Sequence, residues 1–266
     1  MPWFWRGLRE GVVTTPYPKQ SDPYADAFPA AVAVREDAPA ITAEAAEGLC
    51  PTGAITADPA SRTARVDRGR CILCGHCTRG RPDVFSLAHG AESAVTGRSS
   101  LTVPQLEETD EALAATRREL ARRTGAFRRS LHIRHVDAGS DGSEEWEILA
   151  LLNPVYDIHR LGMFFTASPR HADVLLVTGA AARGMAAPLR RTYEATAQPV
   201  VVIAAGTDAC SGGIYGDSYA THDDGIRDVV DVDIWVPGSP PSPFSLLHAL
   251  LLATGRLSAS GKEAEA

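Results

Sequence analysis

The chain has 266 residues, 44% hydrophobic and 22% charged, an ordinary globular composition with room for two domains. A formal net charge of −7 argues against nucleic acid as the main partner. No apolar run reaches transmembrane length, and the apolar start Met1–Trp5 is too short for a secretory segment and is followed by Arg6 and Arg9, which predicts a soluble or peripheral protein.

Residues 1–38 hold many Pro, Asp and Tyr residues with little periodicity and predict an extended N-terminal arm. Trp3, Phe4 and Trp5 are costly to leave in water as a cluster. They are expected either to dock on a partner or membrane interface or to pack on the chain's own surface.

Residues 39–98 form the stretch richest in chemistry. Ile55–Ala57 and Ala64–Val66 predict a small hairpin. Beyond it, Cys71, Cys74 and Cys77 follow one another at three-residue spacing. A tight loop of this kind turns three thiolates toward one centre, and soft sulfur ligands select iron–sulfur clusters or zinc. Cys50, followed by Pro51, supplies a remote fourth thiolate in the form ferredoxin folds use. Cys50, Cys71, Cys74 and Cys77 therefore predict one [4Fe–4S] cluster in a ferredoxin-like α+β module. Zinc is the alternative, although its cysteines usually come as two separated C-x2-C pairs. With four of five cysteines committed as ligands, no disulfide framework remains, which suits a reducing cytoplasm.

The same stretch carries the trace of a second ligand set. Against the two-cluster pattern C-x2-C-x2-C-x3-C-P, Ala40, Ala43 and Ala46 occupy the three places before Cys50, and Arg81 occupies the last place after Cys77. In such modules the fourth cysteine of each motif ligates the other cluster. One full set is thus gone and one is intact, a sorting that random loss would not produce. Arg81 is expected to pack its stem in the vacated space and keep its head in solvent.

Residues 99–130 predict a helical linker. Thr102 is the candidate N-cap with Pro104 in the first turn, and Glu107, Glu108, Asp110 and Glu111 lie near the positive end of the dipole. Leu106, Leu113, Leu120 and Phe127 recur every seven residues as one narrow apolar stripe. Arg117, Arg118, Arg122, Arg123, Arg128 and Arg129 load the far end, as a solvated face that suits the dipole or as a site for an acidic partner.

From 131 to 258 the pattern is α/β. Apolar strands at about 131–136, 174–178, 200–205 and 230–236 alternate with helical stretches at about 144–153, 185–196 and 243–255. Such alternation implies a parallel sheet with helices on both faces and ligands at the carboxyl ends of the strands. The loops there are 137–144, 206–213 and 237–242. Residues 259–266 are small and charged and predict a disordered tail. No P-loop, G-x-S-x-G or G-x-G-x-x-G is present, since "GAAARG" (179–184) lacks the dinucleotide spacing.

The stretches "HVDAGSDGSEEWEI" (135–148), "ALLNPVYDIHRLG" (150–162), "ASPRHADVLLVTG" (167–179), "CSGGIYGDSYA" (210–220) and "DVDIWVPGSPPSP" (231–243) resemble the small subunit of energy-converting group 4 [NiFe]-hydrogenases. They are also similar to the proximal-cluster subunit of respiratory complex I, the NADH-quinone oxidoreductase. "RGLREGVVTTPYP" (6–18) resembles the two-cluster ferredoxin subunit of the same assemblies, so the chain looks like a fusion of two neighbouring links of one electron wire. The resemblance implies a flavodoxin-like domain in 131–258. It also implies partnership with a hydrogenase- or complex I-like large subunit and antiporter-like membrane subunits, with the chain peripheral on the inner face of the cell membrane.

The family's small subunit holds a [4Fe–4S] cluster through four cysteines on the strand-end loops. Here those places are taken by Asp141, Glu144, Asp208 and Ser239, and Cys210 lies two residues beyond its expected position. Hard oxygen donors match iron–sulfur clusters poorly, so this proximal cluster is expected to be lost. The emptied pocket could bind a divalent metal through oxygens, hold a proton, or relax into ordinary polar loops. Arg170 is positioned to pair with one of these acids, and His135 and His171, which flank the region, are expected to be structural hydrogen-bonders. The resemblance implies an electron-transfer subunit that is not catalytic alone. The alternative is a non-redox structural or coupling subunit of a related ion- or inorganic-carbon-transporting complex.

Overall fold

The computed structural model describes residues 3–22, 24–104, 110–125 and 130–257. Helix α1 (Trp3–Glu10) is followed by β1 (Pro29–Val34), α2 (Ala43–Glu47), β2 (Ile55–Ala57), β3 (Ala64–Asp67), α3 (His76–Gly80), β4 (Phe85–His89) and β5 (Thr102–Val103). These build the small module. β1 pairs antiparallel with β4, and β2 with β3 as the expected hairpin, while β5 adds to the free edge of β3. Its core is Val32, Ile41, Ile55, Val66, Val84 and Phe85, with Cys77 among them.

Helix α4 (Asp110–Thr124) leads to the larger domain, which runs β6 (Leu131–Asp137), α5 (Ser143–Ala150), β7 (Met163–Phe165), β8 (Val174–Thr178), α6 (Arg183–Ala195), β9 (Val201–Ala205), α7 (Thr207–Ser211), β10 (Ile234–Val236) and α8 (Pro243–Ala253). The five strands are parallel in the order β10-β9-β8-β6-β7. That is the flavodoxin-like order, with its switch point between β6 and β8. Every residue of β8 and β9 is buried, as a parallel sheet covered on both faces requires. One face packs Leu131, Ile133, Leu176 and Ile203 against the apolar α8, and the other packs Leu175, Val177 and Val202 against Leu189, Ile226 and Trp235.

Several sequence expectations are corrected. The N-terminal arm is not extended throughout: it opens with α1, and its end is β1 of the small module. Between them the chain crosses the larger domain, where Thr15 N donates to Val155 O at 2.8 Å and Tyr17 and Phe28 pack edge-on to Phe244. Thr102 is not a helix N-cap: it pairs with Asp67 in β5, because an open sheet edge offered its backbone partners. The helix expected to follow the Thr102 cap is described only over Asp110–Thr124. Of its apolar stripe, Leu120 is buried; Leu106 and Phe127 and the side chain of Leu113 lie outside the described residues. Within the arginine run, Arg123 is only partly exposed and binds Asp233 at 2.6 Å and the Val200 carbonyl at 2.5 Å, docking α4 on the sheet. Strand β10 starts at Ile234 rather than 230, β7 was not expected, and part of the 206–213 loop is helix α7. The tail 259–266 lies outside the described residues.

The two modules are joined by specific contacts. Val95 forms an antiparallel bridge with Trp235, and Leu101 is buried in the core of the larger domain. Arg98 makes two bonds to Asp67 at 2.8 and 2.7 Å, with its guanidinium 5.8 Å from the Trp235 ring centre.

Candidate functional site

The four predicted cysteine ligands line one small cavity of the small module, walled by Val32, Leu49, Ala54, Ile55 and Val66. Elements far apart in the chain deliver them: Cys50 follows α2, Cys71 and Cys74 sit in the loop after β3, and Cys77 is in the first turn of α3. The loop can fold inward because Leu73 and Gly75 take positive φ values of 53° and 69°. Backbone N–H groups are aimed at the sulfurs: Ala54 N donates to Cys50 Sγ at 3.3 Å, Leu73 N–H faces Cys71 and Thr78 N–H faces Cys77. Thr52 Oγ1 lies 3.4 Å from Cys50 Sγ.

Burial pushes the Cys71 thiol up to about 11, and the neighbouring Cys77, Cys50 and Cys74 sulfurs add to this; burial raises Cys77 likewise. Four sulfurs sharing an apolar cavity need positive charge at the centre to be thiolates together. The donor set and the N–H cradle fit an iron–sulfur group. Among the described residues no three His, Cys, Asp or Glu side chains converge tightly enough for one metal ion. A cubane asks for no such convergence, since each thiolate takes its own iron. Where the second ligand set is missing, Ala46 is fully buried, and Arg81 turns its head outward to an ion pair with Asp83 at 2.8 Å.

The pocket at the strand ends of the larger sheet adjoins this cavity. Thr207, the first residue of α7, donates from Oγ1 to the Cys71 carbonyl at 3.0 Å. Its backbone N–H reaches Gly238 O at 2.7 Å, and its hydroxyl accepts from Gly238 N at 3.3 Å, so one residue ties the 206–213 and 237–242 loops to the cysteine loop.

Of the four replaced ligand positions, Glu144 and Asp208 are buried, with relative exposures of 1% and 7%. Asp141 is exposed at the rim and Ser239 is exposed on its own loop. Glu144 lies against Gly206, and Asp208 against Gly213, where a methyl group would overlap its Oδ1. Burial raises Glu144 to about 7, with Asp208 and Asp141 contributing, and raises Asp208 to about 6, with Asp141 contributing. Asp141, held by the hydroxyl and N–H of Ser143, stays below the ordinary carboxylate range. Arg170 makes no ion pair with any of these acids among the described residues. Cys210 is fully buried in the apolar core beneath, its thiol pushed up to about 12 by that burial.

His135 is a hydrogen-bonder, but within a network the sequence did not reveal. Its Nε2 lies 2.9 Å from Thr178 Oγ1 and 3.2 Å from Glu145 Oε1. Thr178 donates to Glu145 Oε1 at 2.5 Å, and Ser140 donates to Glu145 Oε2 at 2.6 Å and reaches Glu144 Oε2 at 3.3 Å. This chain of bonds sits at the β6/β8 switch point. Only the clustering of acids in "GSDGSEEWE" could have signalled it.

Comparison with known proteins matches residues 142–253 to the model of the NADH ubiquinone oxidoreductase 20 kDa subunit. A "Probable membrane-bound hydrogenase subunit" of Pyrococcus furiosus is 40% identical over 129 residues, 48% of this chain and 77% of that protein. This chain belongs to the 20 kDa subunit family. An uncharacterised protein of Methanocaldococcus jannaschii is 39% identical over 124 residues, 47% of this chain and 82% of its own length. "Formate hydrogenlyase subunit 7" of Escherichia coli is 36% identical over 160 residues, 60% of this chain; the match spans 61% of that relative. The family segment thus covers the strand-end loops from Gly142 through α8, and the cysteine cavity lies outside it. No helix among the described residues is long and apolar enough to cross a membrane.

Proposed function

We propose that this chain is the iron–sulfur electron-transfer subunit of a membrane-associated complex I-like or group 4 hydrogenase-like oxidoreductase. Cys50, Cys71, Cys74 and Cys77 would hold one [4Fe–4S] cluster, and the proximal cluster would be absent. The observation that carries the reading is the convergence of all four cysteines on one cavity with N–H donors aimed at their sulfurs. The bound group would supply one-electron transfer. The chain's own residues exclude water with the apolar wall and stabilise the added negative charge with the N–H groups of Ala54, Leu73 and Thr78.

The larger domain would serve as a docking scaffold for the large subunit, and the membrane subunits of the complex would be of antiporter type. Trp3, Phe4, Trp5 and Leu8 on α1 are 85%, 52%, 59% and 61% exposed, which supports docking of this helix outside the chain rather than on its own surface. Peripheral attachment on the inner face of the cell membrane follows from the same reading.

Iron and acid-labile sulfide analysis, with EPR of the reduced full chain, tests the proposal. About four irons per chain and one signal are expected. Two clusters per chain would refute the loss of the proximal site. A single cluster that no accessible donor reduces would favour the alternative, a structural or coupling subunit of an ion- or inorganic-carbon-transporting complex, which the carboxylates in place of thiolates also favour.

A further inference from the structure

We propose that Glu144 and Asp208 together hold one exchangeable proton, delivered through His135, Glu145 and Ser140, and that they take it up when an electron enters the cavity lined by the four cysteines. The second half of this inference rests on the proposed cluster; the first half does not.

Glu144 packs against Gly206 and Asp208 against Gly213, the Asp208 charge is among those that raise Glu144, and neither carboxylate has an ion pair among the described residues. Glu144 accepts from Ser143 at 3.1 Å and from Ser140 at 3.3 Å. Asp208 is only 7% exposed, yet its carboxylate has no hydrogen-bond donor among the described residues. A buried carboxylate left without a donor or a cation favours its protonated form, or a proton shared with its neighbour. The groups facing the pair are Asp141 at the rim, the Ser140 and Ser143 hydroxyls at the start of α5, the Cys210 thiol on α7 and, from the small module, the Cys71 carbonyl through Thr207. None supplies a positive charge.

A path to solvent exists. His135 and Glu145 have side chains about one-quarter exposed and stand 3.2 Å apart. Ser140 bridges from Glu145 to Glu144. A proton on the imidazole can pass to Glu145, and Ser140 can give its own proton to Glu144 while taking the one from Glu145. The other end of the pair abuts the cysteine cavity through Thr207. Negative charge added there raises the proton affinity of a buried carboxylate in a low-dielectric setting. The balance is one electron from a low-potential one-electron donor and one proton from solvent, with one O–H bond broken in hydronium to leave water and one O–H bond formed on Glu144 or Asp208.

The test uses the full chain with its native cofactor content. Infrared difference spectra across pH 5–8 should show a protonated carboxyl band titrating between about 6 and about 7. The band should shift in Glu144→Gln or Asp208→Asn and vanish in the double variant. EPR-monitored reduction should give a midpoint that is flat below about 6, where the pair already carries its proton, and that falls toward about 59 mV per pH unit above about 7, the tenfold factor for one proton per electron. The double variant should flatten this slope, and His135→Gln should slow proton uptake without moving the band. Absence of any carboxyl titrating above the ordinary range would overturn the proton store. A pH-independent potential in a chain that carries iron would overturn the coupling. A chain without iron would overturn the proposed cluster and the coupling together, and the infrared titration would then decide the store by itself.

Discussion

The cysteine cavity and the carboxylate pocket are separated by one hydrogen bond, from Thr207 to the Cys71 carbonyl, yet they solve opposite problems. Both gather ionisable side chains from loops, with Glu144, Asp208 and Cys77 buried, Cys50 and Cys71 half-buried and Cys74 exposed. The first gathers sulfurs under backbone N–H donors, so negative charge can be held once iron is present. The second gathers oxygens with few donors and, among the described residues, no cation, which favours the protonated carboxyls. In each socket the donor atoms set which form is favoured, thiols awaiting a cation in one and protonated carboxyls in the other.

Removing a sulfur should have the greatest consequence. Cys74→Ala should lower iron from about four per chain to near zero, because a cubane lacking one thiolate is poorly retained. Cys210→Ala should leave iron unchanged, because that thiol is buried in the core beneath the other pocket. Equal loss in both variants would erase the distinction between the two sockets. Next comes the frame that holds them together. Phe244→Ala, fully buried against Tyr17, Phe28 and Tyr156, should cost about 3–5 kcal/mol in denaturant unfolding.

Glu144→Gln probes the oxygen-lined socket through pH. The folded value of about 7 lies above the ordinary 4.5, so the folded chain binds more protons than the unfolded chain between them. This group's contribution is therefore most favourable below about 4.5 and is lost as pH rises through about 7. The glutamine variant should be more stable than the parent at pH 8 by on the order of 2 kcal/mol, with the gain vanishing near pH 4. A variant less stable at pH 8 would show the carboxylate to be held by partners other than those described. The mildest change is at the junction. Thr207→Val keeps the β-branched shape and the backbone bond to Gly238 O but removes the hydroxyl's bonds to Cys71 O and Gly238 N, and should cost about 1 kcal/mol and shift the EPR signal of the reduced chain.

Some elements rest on period and composition alone and were legible from the residues. The hairpin of β2 and β3 and the buried strands β8 and β9 follow from short apolar runs between turn residues, which have few other ways to hide their side chains. The gathering of the four cysteines on one cavity was legible because cysteines at three-residue spacing with a remote Cys-Pro have few structural uses. Packing settled whatever depends on partners distant in the chain. Thr102 reads as a helix cap until the free edge of β3 takes it as a strand, and the N-terminal arm reads as a free segment until β4 pairs its end. The four replaced ligand positions read as one group, but burial separates Glu144 and Asp208 from the exposed Asp141 and Ser239. The link from Thr207 to Cys71 crosses 136 residues, and the bond from His135 to Thr178 crosses 43. No local pattern encodes such contacts, because they exist only once two surfaces have packed and left a polar group with one partner in reach.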